Sequence, residues 1–116
     1  MTHAPRDTSV YLSDILKAIE HIDTYVTDMT FDAFALDAKT QDAVVRNLEI
    51  IGEAVKRLPD DFRIAHPDIA WRPAAAMRDF LIHEYPEVDV KAVWDTIQTD
   101  LPLFRHAIEE LSNKYR

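Results

Sequence analysis

At 116 residues, 47% of them apolar, the chain is long enough for one domain with one real core. It has no cysteine, which excludes a disulfide framework and a thiolate metal site, and no apolar run approaches the length of a membrane span. The net charge of −8 argues against a simple nucleic-acid binder, because phosphate binding ordinarily needs a basic face. The charges are uneven, however. Arg46, Lys56, Arg57, Arg63, Arg72 and Arg78 fall in the middle of the chain, and the acidic excess lies on either side, in 14–42 and 84–110. A local basic cleft on an acidic protein fits this distribution. A single glycine and six prolines favour helices joined by short loops over hairpins. The first residues carry no apolar signal region, so the cytoplasm is the expected location.

The periodicity predicts a first helix over 9–29, capped by Thr8 or Ser9, with residues 1–8 a flexible lead. Tyr11, Leu12, Ile15, Ile19, Ile22 and Val26 recur at three- and four-residue intervals and form one apolar stripe. Residues 31–38 read as a bend or a short helical turn. A second helix is expected over 40–58, burying Val44, Val45, Leu48, Ile51, Val55 and Leu58. Gly52 sits in its middle, where it costs about 1 kcal/mol relative to alanine; close approach of another helix is the expected compensation. A short turn of helix through 63–65 and a loop at 66–68 follow. A third long helix is expected over 72–85, with Pro73 in its first turn and Pro86 ending it. A fourth starts near 88–89 and carries Val90, Val93, Trp94 and Ile97. Pro102 should break or kink it before a helical tail over 103–111. Trp71 and Trp94 read as packing anchors. The sum is an all-α, up-and-down bundle of four to five helices in one domain, 1–116.

The chemistry concentrates near the end of the third helix, in Arg78-Asp79-Phe80-Leu81-Ile82-His83-Glu84-Tyr85. Histidine moves protons near neutral pH, and arginine stabilises developing phosphoryl charge, so this pair meets the needs of metal-free phosphodiester cleavage. Arg78 and His83 lie about 140° apart on a straight helix, whereas Arg78, Ile82 and Tyr85 share a face. One rigid helix therefore cannot easily aim both groups at one phosphate. Either the helix end unwinds before Pro86, or two copies contribute to one cleft. Plainer roles stand beside these. Arg78 would pair Glu53 or Glu49 within the bundle, His83 would cap a helix end, Tyr85 would pack, and Asn47 and Glu53 would be structural polar partners. His3, His21, His66 and His106 show no ligand spacing, so no metal and no cofactor are expected.

The Arg78–His83–Tyr85 spacing resembles the signature of HEPN-domain ribonucleases, and the flanks agree best with the HepT-like branch. Residues 46–58, Asp68-Ile69-Ala70-Trp71-Arg72, and Val88-Asp89 through Val93-Trp94, Ile97 and Leu101-Pro102 resemble that family in order. The likeness covers about residues 9–111. It implies a HEPN-like fold, a symmetric homodimer with motif helices facing each other, and an RNA substrate cut by attack of a ribose 2′-hydroxyl on its own 3′-phosphate. It implies Arg78 and His83 as catalytic groups, Asp79, Glu53 and Asn47 as supporting ones, and Tyr85 as a substrate contact or an acceptor of AMP. It further implies a toxin of a type II or related toxin–antitoxin system, neutralised by a nucleotidyltransferase partner. The alternative is a non-catalytic helical dimer that binds a nucleotidyltransferase or a nucleotide.

Overall fold

The computed structural model describes residues 6–84 and 89–115, with side chains from 8 to 82 and from 89 to 115. Among them, seven α-helices follow in chain order: α1 (Arg6–Val26), α2 (Phe31–Ala35), α3 (Ala38–Arg57), α4 (Asp60–Ala65), α5 (Trp71–Glu84), α6 (Val90–Asp95) and α7 (Leu101–Lys114). A π-helical turn, Thr96–Asp100, joins α6 to α7. No strand occurs among the described residues, so the expected all-α architecture holds.

α3 is the centre of the bundle, with α1 packed on one side and α5 on another; α7 lies against α1. The apolar stripe of α1 enters the core as expected: Leu12, Ile15, Ile19 and Ile22 are almost fully buried, and Tyr11 is half-buried at its edge. All six residues expected to form the buried face of α3 are buried. Full burial of such side chains stabilises by roughly 1.5–3 kcal/mol each, so this seam sets the fold. Local caps fix where helices begin. The Thr30 hydroxyl accepts from Ala33 N at 3.1 Å to start α2. The Asp37 carboxylate accepts from Thr40 N at 3.0 Å and from the Thr40 hydroxyl at 2.6 Å to start α3. These bonds hold the Asp37 carboxyl below its ordinary pKa. Asp89 caps α6 through Lys91 N at 2.9 Å. Between α1 and α2 the chain reverses at Asp28, whose φ of 62° is left-handed.

The structure departs from the sequence reading at the start of α1 and sharpens it in two other places. Neither Thr8 nor Ser9 caps α1, because the helix begins at Arg6; Thr8 is fully buried inside it. The expected flexible lead therefore gives way to helix by residue 6, and residues 1–5 lie outside the described residues. Of the two readings of residues 31–38, the short helical turn holds, over 31–35, because Thr30 caps it and Phe34 is fully buried beneath Trp94, with ring centroids 5.2 Å apart. Pro102 does not break the last helix. Proline lacks an N–H and would clash with the carbonyl four residues earlier. The chain widens just before it instead, with Leu101 N bonded back to Thr96 O, and Pro102 falls in the first turn of α7. The end of α5 expected at Tyr85 lies at the margin of the described residues, where α5 runs to Glu84.

Candidate active site

Gly52 places α5. A Cβ added there would lie 2.1 Å from Arg78 Cβ and 2.9 Å from the Ala74 carbonyl oxygen. The missing side chain is the room that α5 occupies, which is the compensation expected for a glycine in mid-helix. With its Cβ seated on Gly52, Arg78 extends its guanidinium across the surface of α3. Nη2 lies 3.0 Å from Glu53 Oε2, and Nη1 donates to Asp79 Oδ1 at 2.9 Å. The same Asp79 oxygen accepts from Lys56 Nζ at 2.9 Å, and the other oxygen of Glu53 lies 3.3 Å from Arg57 Nη2. Two carboxylates thus bridge three cations across two helices.

The electrostatics follow from this chain of charges. Asp79 first, then Glu53 and Glu49, raise the Arg78 pKa further above its ordinary value, so its charge is permanent. The hydrogen bond from Lys56, then that from Arg78, lowers the Asp79 pKa, so Asp79 is a carboxylate at any neutral pH. The Arg78 side chain is 27% exposed, against 39–48% for Glu53, Lys56 and Asp79. Two of its five N–H donors are engaged by these contacts, which leaves the guanidinium able to hold a phosphoryl oxygen as well.

Three of the six expected site residues, Arg78, Asp79 and Glu53, come together here. Asn47 does not join them. It is buried on the α1 side of α3, with its amide bonded to the Ala43 carbonyl at 2.9 Å and its oxygen 3.3 Å from His21 Nδ1. The backbone of His83 belongs to α5, so the helix does not unwind between it and Arg78. Its side chain, and Tyr85 altogether, lie outside the described residues. In helical register position 83 falls about 60° from Phe80 and about 20° from Ala76. Both of those residues are exposed, while Arg78 faces α3. The sequence reading missed Lys56. Its signal was there: Lys56 is one turn beyond Gly52 and therefore on the face of α3 that meets α5. Among the described residues, no group of three His, Cys, Asp or Glu is placed to hold a metal ion.

Comparison with known proteins adds the family. The model of the family described as "Ribonuclease HepT-like" matches residues 15–111. This chain belongs to the HepT-like ribonuclease family. A probable ribonuclease HepT of Thermococcus cleftensis is 50% identical over 87% of this chain and 92% of its own length. A putative RNase of Methanocaldococcus jannaschii is 43% identical over 91% of this chain and 88% of its own. One from Caldanaerobacter subterraneus is 41% identical over 90% and 93%. No solved structure matches. The family match includes α3 and α5, the two helices that carry the Arg78 network, and the all-α bundle is HEPN-like accordingly. As an enzyme of the HepT-like family the chain is a ribonuclease.

Proposed function

We propose that the protein is a metal-independent endoribonuclease, the toxin half of a toxin–antitoxin pair, with its active site completed by a second copy of the chain. The single observation that carries this reading is the Arg78 guanidinium, partly exposed and permanently charged, five residues before His83 in a chain of the HepT-like family. In this mechanism His83 takes the proton from a ribose 2′-hydroxyl. The 2′-oxygen bonds to phosphorus as the bond to the 5′-oxygen breaks, and a protonated imidazole returns a proton to that leaving oxygen. Arg78 stabilises the charge that develops on the phosphoryl oxygens. The products are a cyclic 2′,3′-phosphate and a 5′-hydroxyl. Asp79 and Glu53 position Arg78.

The divided geometry of α5 supports the dimer. Its outward side carries Ala76 and Phe80, the latter 48% exposed, and helical register would add position 83 to it. A twofold contact across that apolar side would bring two His83 residues to one cleft, with each Arg78 approaching from the flank. Tyr85, just beyond, would be the acceptor of AMP from a nucleotidyltransferase antitoxin. The added bulk and negative charge would close the cleft to RNA.

Purified protein should cleave single-stranded RNA in the presence of chelator and leave cyclic phosphate ends. His83→Ala should lower the rate by a factor on the order of 10²–10⁴ without changing the fold. Intact mass after co-expression with the neighbouring gene should show AMP on Tyr85. A second reading takes support from the double pairing of Arg78 with Glu53 and Asp79, which a purely structural arginine would also make. Under that reading the protein is a folded, inert dimer that binds its partner, and no RNA is cut under any of these conditions.

A further inference from the structure

Beside the Arg78 network, between α1 and α3, runs a groove of about 220 Å³ lined by Tyr11, Asp14, Arg46, Ile50, Glu53 and Arg57 among others. We infer that this groove is the path of the RNA strand leading away from the scissile phosphate, with Arg46 and Arg57 on phosphates two to three nucleotides apart and the Tyr11 ring against a base. This rests on RNA being the substrate of the Arg78 site, and it assigns how that substrate is held.

Three observations converge. The groove is continuous with the site, because Glu53 lines it and is shared by Arg57, at 3.3 Å, and Arg78, at 3.0 Å. Its cations are spaced for a strand. Arg46 and Arg57 are eleven residues apart on α3, which brings them to one face about 16 Å apart along the axis. That span suits two to three nucleotides of extended single strand. The composition is that of a single-strand binder, since a half-buried aromatic and an isoleucine lie between arginines. Sequence-tolerant RNA binding combines cations along the backbone with a ring on which a base stacks.

The groove also holds carboxylates. Arg46 lies 3.9 Å from Glu49 and Arg57 3.3 Å from Glu53, but these arginines are 71% and 61% exposed. Ion pairs so open to water contribute little and exchange readily, so a phosphate can replace the carboxylate. Asp14 offers an acceptor to a 2′-hydroxyl or a base amino group, an interaction that RNA can make and phosphate cannot. On a chain of net charge −8, this keeps binding local to the groove.

The test uses fluorescently labelled, 2′-O-methylated single-stranded RNA, which lacks the attacking hydroxyl, so binding is read by anisotropy independently of cleavage. For an eight-nucleotide RNA, the slope of log affinity against log salt should become shallower by about 1.4 in Arg46→Ala/Arg57→Ala, about 0.7 for each phosphate that the variant no longer neutralises. Tyr11→Leu should weaken binding on the order of tenfold, and Tyr11→Phe should restore it. Cleavage of unmodified RNA should show a raised KM in the double variant. Thermal melting confirms that each variant is folded; if the double variant is not, Arg57→Gln alone should show half the change in slope. An unaltered slope and KM in folded variants that still cut RNA would overturn the groove and leave the ribonuclease reading standing. So would loss of a co-purifying nucleotidyltransferase with RNA binding intact, which would make the groove a protein interface. RNA bound through the groove but never cleaved would uphold the path and sink the catalytic reading.

Discussion

The two halves of α5 are held by different physics. At its start, Trp71 is buried among rings. It meets Phe104 edge-on with centroids 6.1 Å apart, lies 6.4 Å from Phe62, and donates from Nε1 to the His66 carbonyl at 3.0 Å. Tyr115 closes the cluster, 5.3 Å from Phe62, with its hydroxyl 3.1 Å from His66 Nε2. Two turns on, Arg78 and Asp79 are held by partly exposed charges on α3. Ring packing allows one arrangement and gives it up only at high cost. Ion pairs near water can swap partners for little. The contrast places rigidity at the anchored end and exchangeable pairings where, in the proposed mechanism, a substrate would compete for the same cations.

The largest effect that can break this contrast is at the anchored end. Trp71→Ala should cost about 3–5 kcal/mol and lower Tm by roughly 10–20 °C, read by calorimetry. Activity measured well below the new Tm should change little. A stable variant with lost activity would show that the ring cluster shapes the site directly. At the charged end the expectation reverses. Glu53→Gln keeps the shape, removes one carboxylate from beside Arg78, and should leave Tm within a few degrees. Affinity for 2′-O-methyl RNA should rise severalfold at low salt, since a phosphate no longer competes with that charge. A fall in Tm approaching that of Trp71→Ala would mean that the network is structural and that the two ends are alike.

The smallest effect tests the anchored end by pH. Burial, then the charge of Lys114, lowers the His66 pKa from its ordinary 6.5. The unfolded chain therefore takes up a proton at His66 at a higher pH than the folded one. The stability this supplies is complete above about pH 6.5 and is lost as pH falls through the lowered value. Tm should drop by about 1–3 °C more in wild type than in His66→Gln over pH 7 to 5. Parallel curves would remove His66 from the anchor.

Much of this was legible in the sequence, for reasons that differ by element. The stripes of α1 and α3 were readable because burial imposes a period on apolar residues, and Gly52 was readable as a point of close approach because it is costly anywhere else in a helix. The π turn was not, since Pro102 signals an obstacle without saying how the chain passes it. Thr8 looked like a cap because threonine is common at caps, yet here its burial keeps it inside the helix. At the site, the roles proposed for Arg78 and His83 came from chemistry and family likeness, and Glu53 was legible as a partner of Arg78, but the Lys56–Asp79 pair needed three dimensions. The helical period turns Asn47 about 120° from Glu53 and puts Lys56 on the face of Gly52, but which residue of α5 Lys56 meets depends on how the two helices are set against each other.

For anyone engineering this scaffold, the placement of its one glycine inverts a common recipe. Replacing helix glycines by alanine is a standard route to a hardier protein, and Gly52, in mid-helix, would head such a list. Here the added methyl would land on Arg78 and push the two helices apart. The backbone position that would welcome a glycine is Asp28, where an acidic residue is held at φ 62° in the turn after α1. A thermostabilised variant should therefore gain its glycine at 28 and keep the one at 52.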